Sequence, residues 1–214
     1  MARPQTDIEA GRQELLDLVE ELVRKRGGVD LSMTELAAAA SMSPANLDRF
    51  FENKEALLEA AAGRWFAPKI AIMEAVVAAD LQSREKMYQF FARRFVLMRD
   101  QFHNDPDMFK SYLELGDQHF EVVRGYVDLG DHFLSEIVVQ ALDEGYLPDL
   151  SIDDAVSLIN QMVQVYCNPE ALLYLDHKLS EEKLARIIDT IFIGLGRNFE
   201  EQSGSGKPHI KIVT

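Results

Sequence analysis

The stretch "SMTELAAAASMSPANLDRFFENKEALL", Ser32 to Leu58, starts a helix three times in quick succession. Ser32 followed by Glu35 is a capping box, in which each side chain satisfies a free amide of the first turn. The alanines carry that helix to Ala40. Ser41-Met42-Ser43 is a tight connection. Ser43 caps a second helix whose first position is Pro44, where no amide hydrogen bond is lost. Asn53 caps a third, long helix that begins at Lys54. Two short helices joined by a tight turn form a helix-turn-helix, and here the second is expected to span Ser43 to Phe51. Such a helix can enter a DNA major groove. The geometry alone is also that of a plain helical corner, so the surrounding chain has to be read.

Upstream, Ile8, Leu15, Leu18, Val19, Leu22 and Val23 recur at helical spacing with charged residues between them. Gly27-Gly28 ends that helix, with Arg24, Lys25 and Arg26 in its last turn, where the dipole favours positive charge. Downstream, long helical patterns alternate with short breaks. Pro68 is expected to kink the helix that begins at Lys54. A helix is expected from about Arg84 to Phe102, a short one opens at Pro106, and another runs from Asp117 to Gly145. Ser151 and Ser180 cap the last two long helices, separated by the turn and helix of "NPEALLYLDHK". No stretch reads as a strand. The predicted fold is all-α, with nine or ten helices: a three-helix N-terminal domain over residues 1–55, a larger helical bundle over 56–202, and a flexible tail over 203–214.

Composition narrows the function classes. Of 214 residues, 47% are hydrophobic and 27% charged, which is the balance of a folded protein. A net charge of -14 disfavours wholesale adhesion to nucleic acid or anionic membrane, though not a local basic patch. One cysteine, Cys167, excludes an internal disulfide framework and is expected to be a small buried residue in a reducing compartment. No apolar run has signal-peptide or membrane-span length, so a cytoplasmic protein without membrane contact is expected.

Across Ser32 to Leu58 the sequence resembles the N-terminal signature of TetR-family transcriptional regulators. The resemblance rests on Leu36-Ala37, the Ser41-Met42-Ser43 turn, Leu47 with Phe50-Phe51, and Lys54-Glu55-Ala56-Leu57. It covers roughly the first 60 residues. It implies a homodimer that binds a palindromic operator in double-stranded DNA, acting as a repressor, and that is released by a small-molecule effector. The DNA contacts expected are Ser43, Pro44, Ala45, Asn46, Asp48, Arg49 and Lys54. Lys54 at a helix N-terminus suits a phosphate, and Asn46 can pair with adenine. Three positions depart from the family pattern. Ser41 stands where a glycine is usual, and a positive backbone dihedral is less comfortable for serine. Asp48 replaces a tyrosine and would repel phosphate unless it accepts from a cytosine amine. Pro44 replaces a basic or polar residue. Residues 1–55 hold 7 Lys and Arg against 11 Asp and Glu, a net -4, which is unusual where affinity depends on releasing counterions. A helical ligand-binding or protein-interaction dimer that has lost strong DNA binding is the alternative.

The middle helices are rich in aromatic and methionine side chains that can line a site for an apolar or aromatic effector. Trp65, Phe91, Phe95, Met98, Tyr112, His119 and Tyr126 are the candidates, with His119 as a polar anchor. Arg93-Arg94, next to aromatics, reads as a solvated helix face, with pairing to an acidic ligand as the alternative. The last two long helices carry surplus apolar surface, and Ile159, Met162, Tyr166, Ile188, Phe192 and Leu195 are the candidate dimer contacts. Asp117, Glu121, Arg124, Asp128 and Asp131 form a polar stripe. Neither a catalytic constellation nor a metal-ligand spacing is recognisable, and no cofactor motif is found, so no enzyme is expected.

Overall fold

In the computed structural model, residues 5–148 and 150–195 are described, and the expected tail at 203–214 lies outside them. Among the described residues ten α-helices follow one another: α1 (Gln5–Arg26), α2 (Met33–Ala39), α3 (Pro44–Leu47), α4 (Lys54–Val77), α5 (Ser83–Asn104), α6 (Pro106–Gln118), α7 (Phe120–Asp143), α8 (Ile152–Cys167), α9 (Pro169–Leu175) and α10 (Glu181–Gly194). A single 3-10 turn, Asp176–Lys178, follows α9, and no strand occurs among the described residues.

The caps read from the sequence form. The Ser32 hydroxyl accepts from the Glu35 amide while the Glu35 carboxylate accepts from the Ser32 amide. Ser43, Asn53, Ser151 and Ser180 each cap α3, α4, α8 and α10 through a side-chain oxygen. A cap of this kind is worth about 1 kcal/mol, so caps set boundaries while burial supplies most of the stability.

Two apolar cores result. The small one packs Leu15, Val19, Leu36, Leu47, Phe51 and Leu57 together. It also takes in Ala61 and Ala62 of α4 and Met108 and Leu115 of α6, so it extends beyond residue 55. The large core is built from α4, α5, α7, α8 and α10 around residues such as Phe90, Phe95, Ile137 and Val163.

Pro68 sits inside α4, which runs from Lys54 to Val77. The structure differs from the sequence reading at three points. The helix expected from Asp117 to Gly145 is divided at His119, whose backbone (φ -120, ψ 57) belongs to neither α6 nor α7. His119 is neither glycine nor proline, so local propensity gave no sign of the break. Its side chain is buried, with Nδ1 2.9 Å from Glu55 Oε1 at the start of α4, a contact made only in the folded chain. α3 is a single regular turn over Pro44–Leu47. Looser turns continue it to Phe51 through Arg49 N–H to Asn46 O (3.4 Å) and Phe51 N–H to Leu47 O (3.1 Å). Cys167, expected to be buried, is exposed.

Candidate functional site

Ser41 is left-handed, with φ 53, in the turn between α2 and α3. That conformation costs an L-residue about 1–2 kcal/mol. Leu36 and Leu47, on either side of the turn, are fully buried. Each contributes about 1.5–3 kcal/mol by burial, so packing the two short helices outweighs the strain at Ser41.

The same packing decides what α3 shows to solvent. Leu47, Phe50 and Phe51 turn inward, whereas Ser43, Pro44, Ala45, Asp48 and Arg49 are exposed and Asn46 is half-buried. These residues therefore share one outward surface at the start of α3. Arg12 is bound into the fold instead: its guanidinium donates to Phe50 O (2.6 Å) and lies 4.4 Å from the centre of the Phe51 ring. Lys54 stands at the N-terminus of α4, half-buried, and its ammonium is 3.2 Å from Asp30 Oδ1. The surface thus carries Arg49, a Lys54 shared with Asp30, and the exposed Asp48.

The second candidate site is a cavity of about 920 Å³ between α4, α5, α7 and α8. Trp65, Phe66, Phe90, Met98 and Tyr126 form its apolar walls. The Trp65 indole is fixed from behind by stacking on Tyr112 at 4.4 Å, and Phe66 stacks on Tyr126 at 4.4 Å. The rim on α7 and α8 carries Asp128, His132, Ser157 and Gln161. A volume of this size is typical for a small-molecule site.

Two cations reach this cavity. Arg94 donates to Phe90 O (2.8 Å), reaches the Tyr126 hydroxyl at 3.4 Å and lies 4.1 Å from the centre of the Phe90 ring. Lys69 is deeper, only 4% exposed. Its ammonium donates to Trp65 O (3.1 Å) and Gln101 Oε1 (3.0 Å) and sits 3.7 Å above the Trp65 ring. Burial, which penalises the charged form, pushes its pKa down from 10.5 to about 7.

Of the sequence-derived pocket residues, Trp65, Met98 and Tyr126 line the cavity. Phe91 and Phe95 lie in the core, and Tyr112 stands behind Trp65, donating to Glu20 (2.7 Å). His119 is away from the cavity, at the junction of α6 and α7. Phe66, Arg94 and Lys69 line the cavity too, and of these Lys69 was not legible as a site residue in the sequence. A lone lysine in the apolar run "WFAPKIAIM" was its available signal. Arg93 and Arg94, read together as solvated, divide: Arg93 is exposed and Arg94 folds over aromatic rings.

Among the dimer candidates, Ile159, Tyr166, Ile188 and Phe192 are buried in the chain's own core and present no outer surface. Leu195 is half-buried, and Met162 is 41% exposed. The exposed apolar residues of α8 and α10 are Ile152, Leu158, Met162 and Ile193. A helix that is apolar on more than one side does not reveal which side its own domain covers.

Among the described residues, no group of three or more His, Cys, Asp or Glu side chains is placed to hold a metal ion. No described helix is long and apolar enough to cross a membrane.

Comparison with known proteins adds the following. Residues 15–61 match the family described as bacterial regulatory proteins, tetR family, and residues 83–188 match the tetracyclin repressor-like C-terminal domain. No curated protein matches the sequence significantly. Solved structures share the fold. A TetR family transcription regulator from Marinobacter aquaeolei superposes with a TM-score of 0.59 at 18% identity, over 89% of this chain and 97% of that one. The TetR family regulator PfmR from Thermus thermophilus gives 0.55 at 18% identity, over 87% and 98%. The transcriptional regulator FadR from Bacillus subtilis, in complex with stearoyl-CoA, gives 0.57 at 18% identity, over 85% and 98%.

Proposed function

Because the chain belongs to the TetR family of bacterial regulatory proteins, we propose that it is a repressor that binds a palindromic operator as a homodimer and leaves it when a small molecule enters the helical domain. The observation that carries this reading is the outward face of α3. Ser43, Pro44, Ala45, Asp48 and Arg49 are exposed together, with Asn46 beside them and Lys54 at the next helix N-terminus. Base edges would be read by Asn46 and Arg49, and phosphate held by Lys54. Residues 1–55 are the reading head in this proposal, and residues 56–202 sense and dimerise.

α4 is the element that joins the two tasks. It begins at Lys54 beside the head and passes the cavity at Trp65, Phe66 and Lys69. From Lys54 to Lys69 the helix rises about 22 Å. A ligand that prefers one setting of α4 shifts the population toward it, and with it the spacing of two heads on DNA. The cavity's apolar walls support a ligand with an apolar or aromatic body. The stearoyl-CoA held by the Bacillus subtilis regulator of the same fold supports a small-molecule ligand in general. Dimer contact is proposed through the outer faces of α8 and α10 at Leu158, Met162 and Ile193, which face away from the core.

A second reading has its own support. Asp48 is exposed and Lys54 is engaged by Asp30. Both features suit a helical ligand-binding or protein-interaction dimer without strong DNA binding.

The test is a salt titration of binding to the DNA upstream of the chain's own gene. A specific complex whose affinity falls steeply with salt is the expected result. No complex at low salt, from a folded dimer free of ligand, overturns the repressor reading in favour of the second.

A further inference from the structure

The Lys69 ammonium is buried with no carboxylate paired to it among the described residues. An ammonium has three N–H donors. The Trp65 carbonyl and the Gln101 amide oxygen take two. The Trp65 ring lies 3.7 Å from the ammonium, and Lys69 is part of the cavity wall, so a bound ligand can reach the amine. An unpaired buried charge is expensive, and a carboxylate placed beside it would recover that cost.

The cavity also holds negative groups, and they are disposed differently. Asp128 and Asp153 are exposed at the rim. Asp131 already accepts from the Asn160 amide at 2.7 Å. Asp128 faces Arg124 across 3.9 Å. Their charge is solvated or partnered, whereas Lys69 is buried and meets only two neutral acceptors and the face of Trp65. Trp65, Phe66, Met98 and Tyr126 line the same cavity and offer apolar surface for a chain or ring.

We propose that the cavity takes an amphipathic organic acid, its carboxylate seated on the Lys69 ammonium and its apolar body lying along Trp65, Phe66, Met98 and Tyr126. This rests on the reading of the cavity as the effector site and names the chemical class of the effector. The pKa of about 7 that burial imposes on Lys69 agrees with it, since a bound carboxylate restores the charged form.

The chain has one tryptophan, Trp65, whose ring lies 3.7 Å below the ammonium. Its fluorescence therefore reports on the site directly. The experiment titrates the full-length protein with decanoate, decan-1-ol and decylamine, three probes with the same apolar body and different heads. Decanoate is expected to bind at least about tenfold more tightly than the alcohol, because a charge-assisted hydrogen bond is worth that much or more. In Lys69→Met the preference disappears, decanoate falling to the level of the alcohol and the alcohol unchanged. Equal binding of acid and alcohol by the wild-type protein overturns the acid inference while leaving the cavity a ligand site. So does a preference that survives Lys69→Met. Preference for decylamine overturns it in favour of the rim carboxylates. If none of the three binds, the effector-site reading fails and takes the inference with it. The wild-type comparison stands by itself should Lys69→Met not fold.

Discussion

Replacing Lys69 with methionine removes a buried amine from the wall of the cavity, and the cost of that amine follows from the downward shift that burial imposes on its pKa. Its pKa is about 7 in the fold and 10.5 in the open chain. Each unit of difference is worth about 1.4 kcal/mol, so charging Lys69 in place costs up to about 5 kcal/mol. The unfolded chain holds a proton between those two values that the folded chain does not. Wild-type stability therefore rises with pH across that window, and at lower pH the penalty is present in full. Methionine has no such dependence. Lys69→Met should be stabilised relative to wild type by an electrostatic contribution of about 4–5 kcal/mol at about pH 6.5, falling to about 1.5 kcal/mol at about pH 9.5. The variant also leaves the Trp65 carbonyl and the Gln101 amide oxygen without their donor. That lost hydrogen bonding offsets the gain by a constant of about 1–3 kcal/mol and does not alter the slope above neutral pH.

Urea unfolding of both proteins, at one protein concentration and several pH values, measures the difference. The other ionisable groups around the cavity are Arg94 on α5, Tyr126, Asp128, Asp131 and His132 on α7, and Asp153, Tyr166 and Cys167 on α8. They are present in both proteins and cancel. A stability difference that changes by about 3 kcal/mol between about pH 6.5 and 9.5 is the expected result. A difference that stays flat over that range refutes the reasoning, because Lys69 would then carry its charge at ordinary cost.

Three further outcomes are expected. Ser41→Gly should stabilise the protein by about 0.5–1 kcal/mol, the relief of a left-handed serine at φ 53 less the extra freedom glycine has when unfolded, read as a higher urea midpoint with unchanged slope. Gly11→Ala should destabilise despite a gain of about 1 kcal/mol in helix propensity, because a Cβ there would overlap the buried Phe50 ring and overpacking costs about 1–3 kcal/mol; thermal unfolding checks the sign. Asp48→Tyr should raise operator affinity several-fold at low salt, about 1 kcal/mol, and the gain should shrink as salt is added; unchanged affinity at low salt would mean that Asp48 faces no phosphate.

Short-range chemistry made part of this protein legible from its sequence. The capping pairs Ser32 with Glu35 and Ser43 with Pro44, and the Asn53 cap, set helix boundaries through contacts only a few residues apart. The left-handed backbone at Ser41 was implied by the resemblance, in which a glycine is usual at that position, and the structure has φ 53 there. The all-α class and the inward turn of Leu47, Phe50 and Phe51 follow from periodicity in the same way. Features that depend on which face meets which partner were decided by the tertiary structure alone. At the break, His119 meets Glu55, far away in sequence. Arg93 and Arg94 are neighbours with opposite fates because α7 covers only the second, bringing Tyr126 to it. Ile159, Tyr166 and Ile188 read as surface contacts until the fold used them as core. Lys69 looked like one charge in an apolar run. Its burial, its missing counterion and the cavity beside it arise only when α4, α5, α7 and α8 close around it, because desolvation is a property of the surroundings and not of the residue.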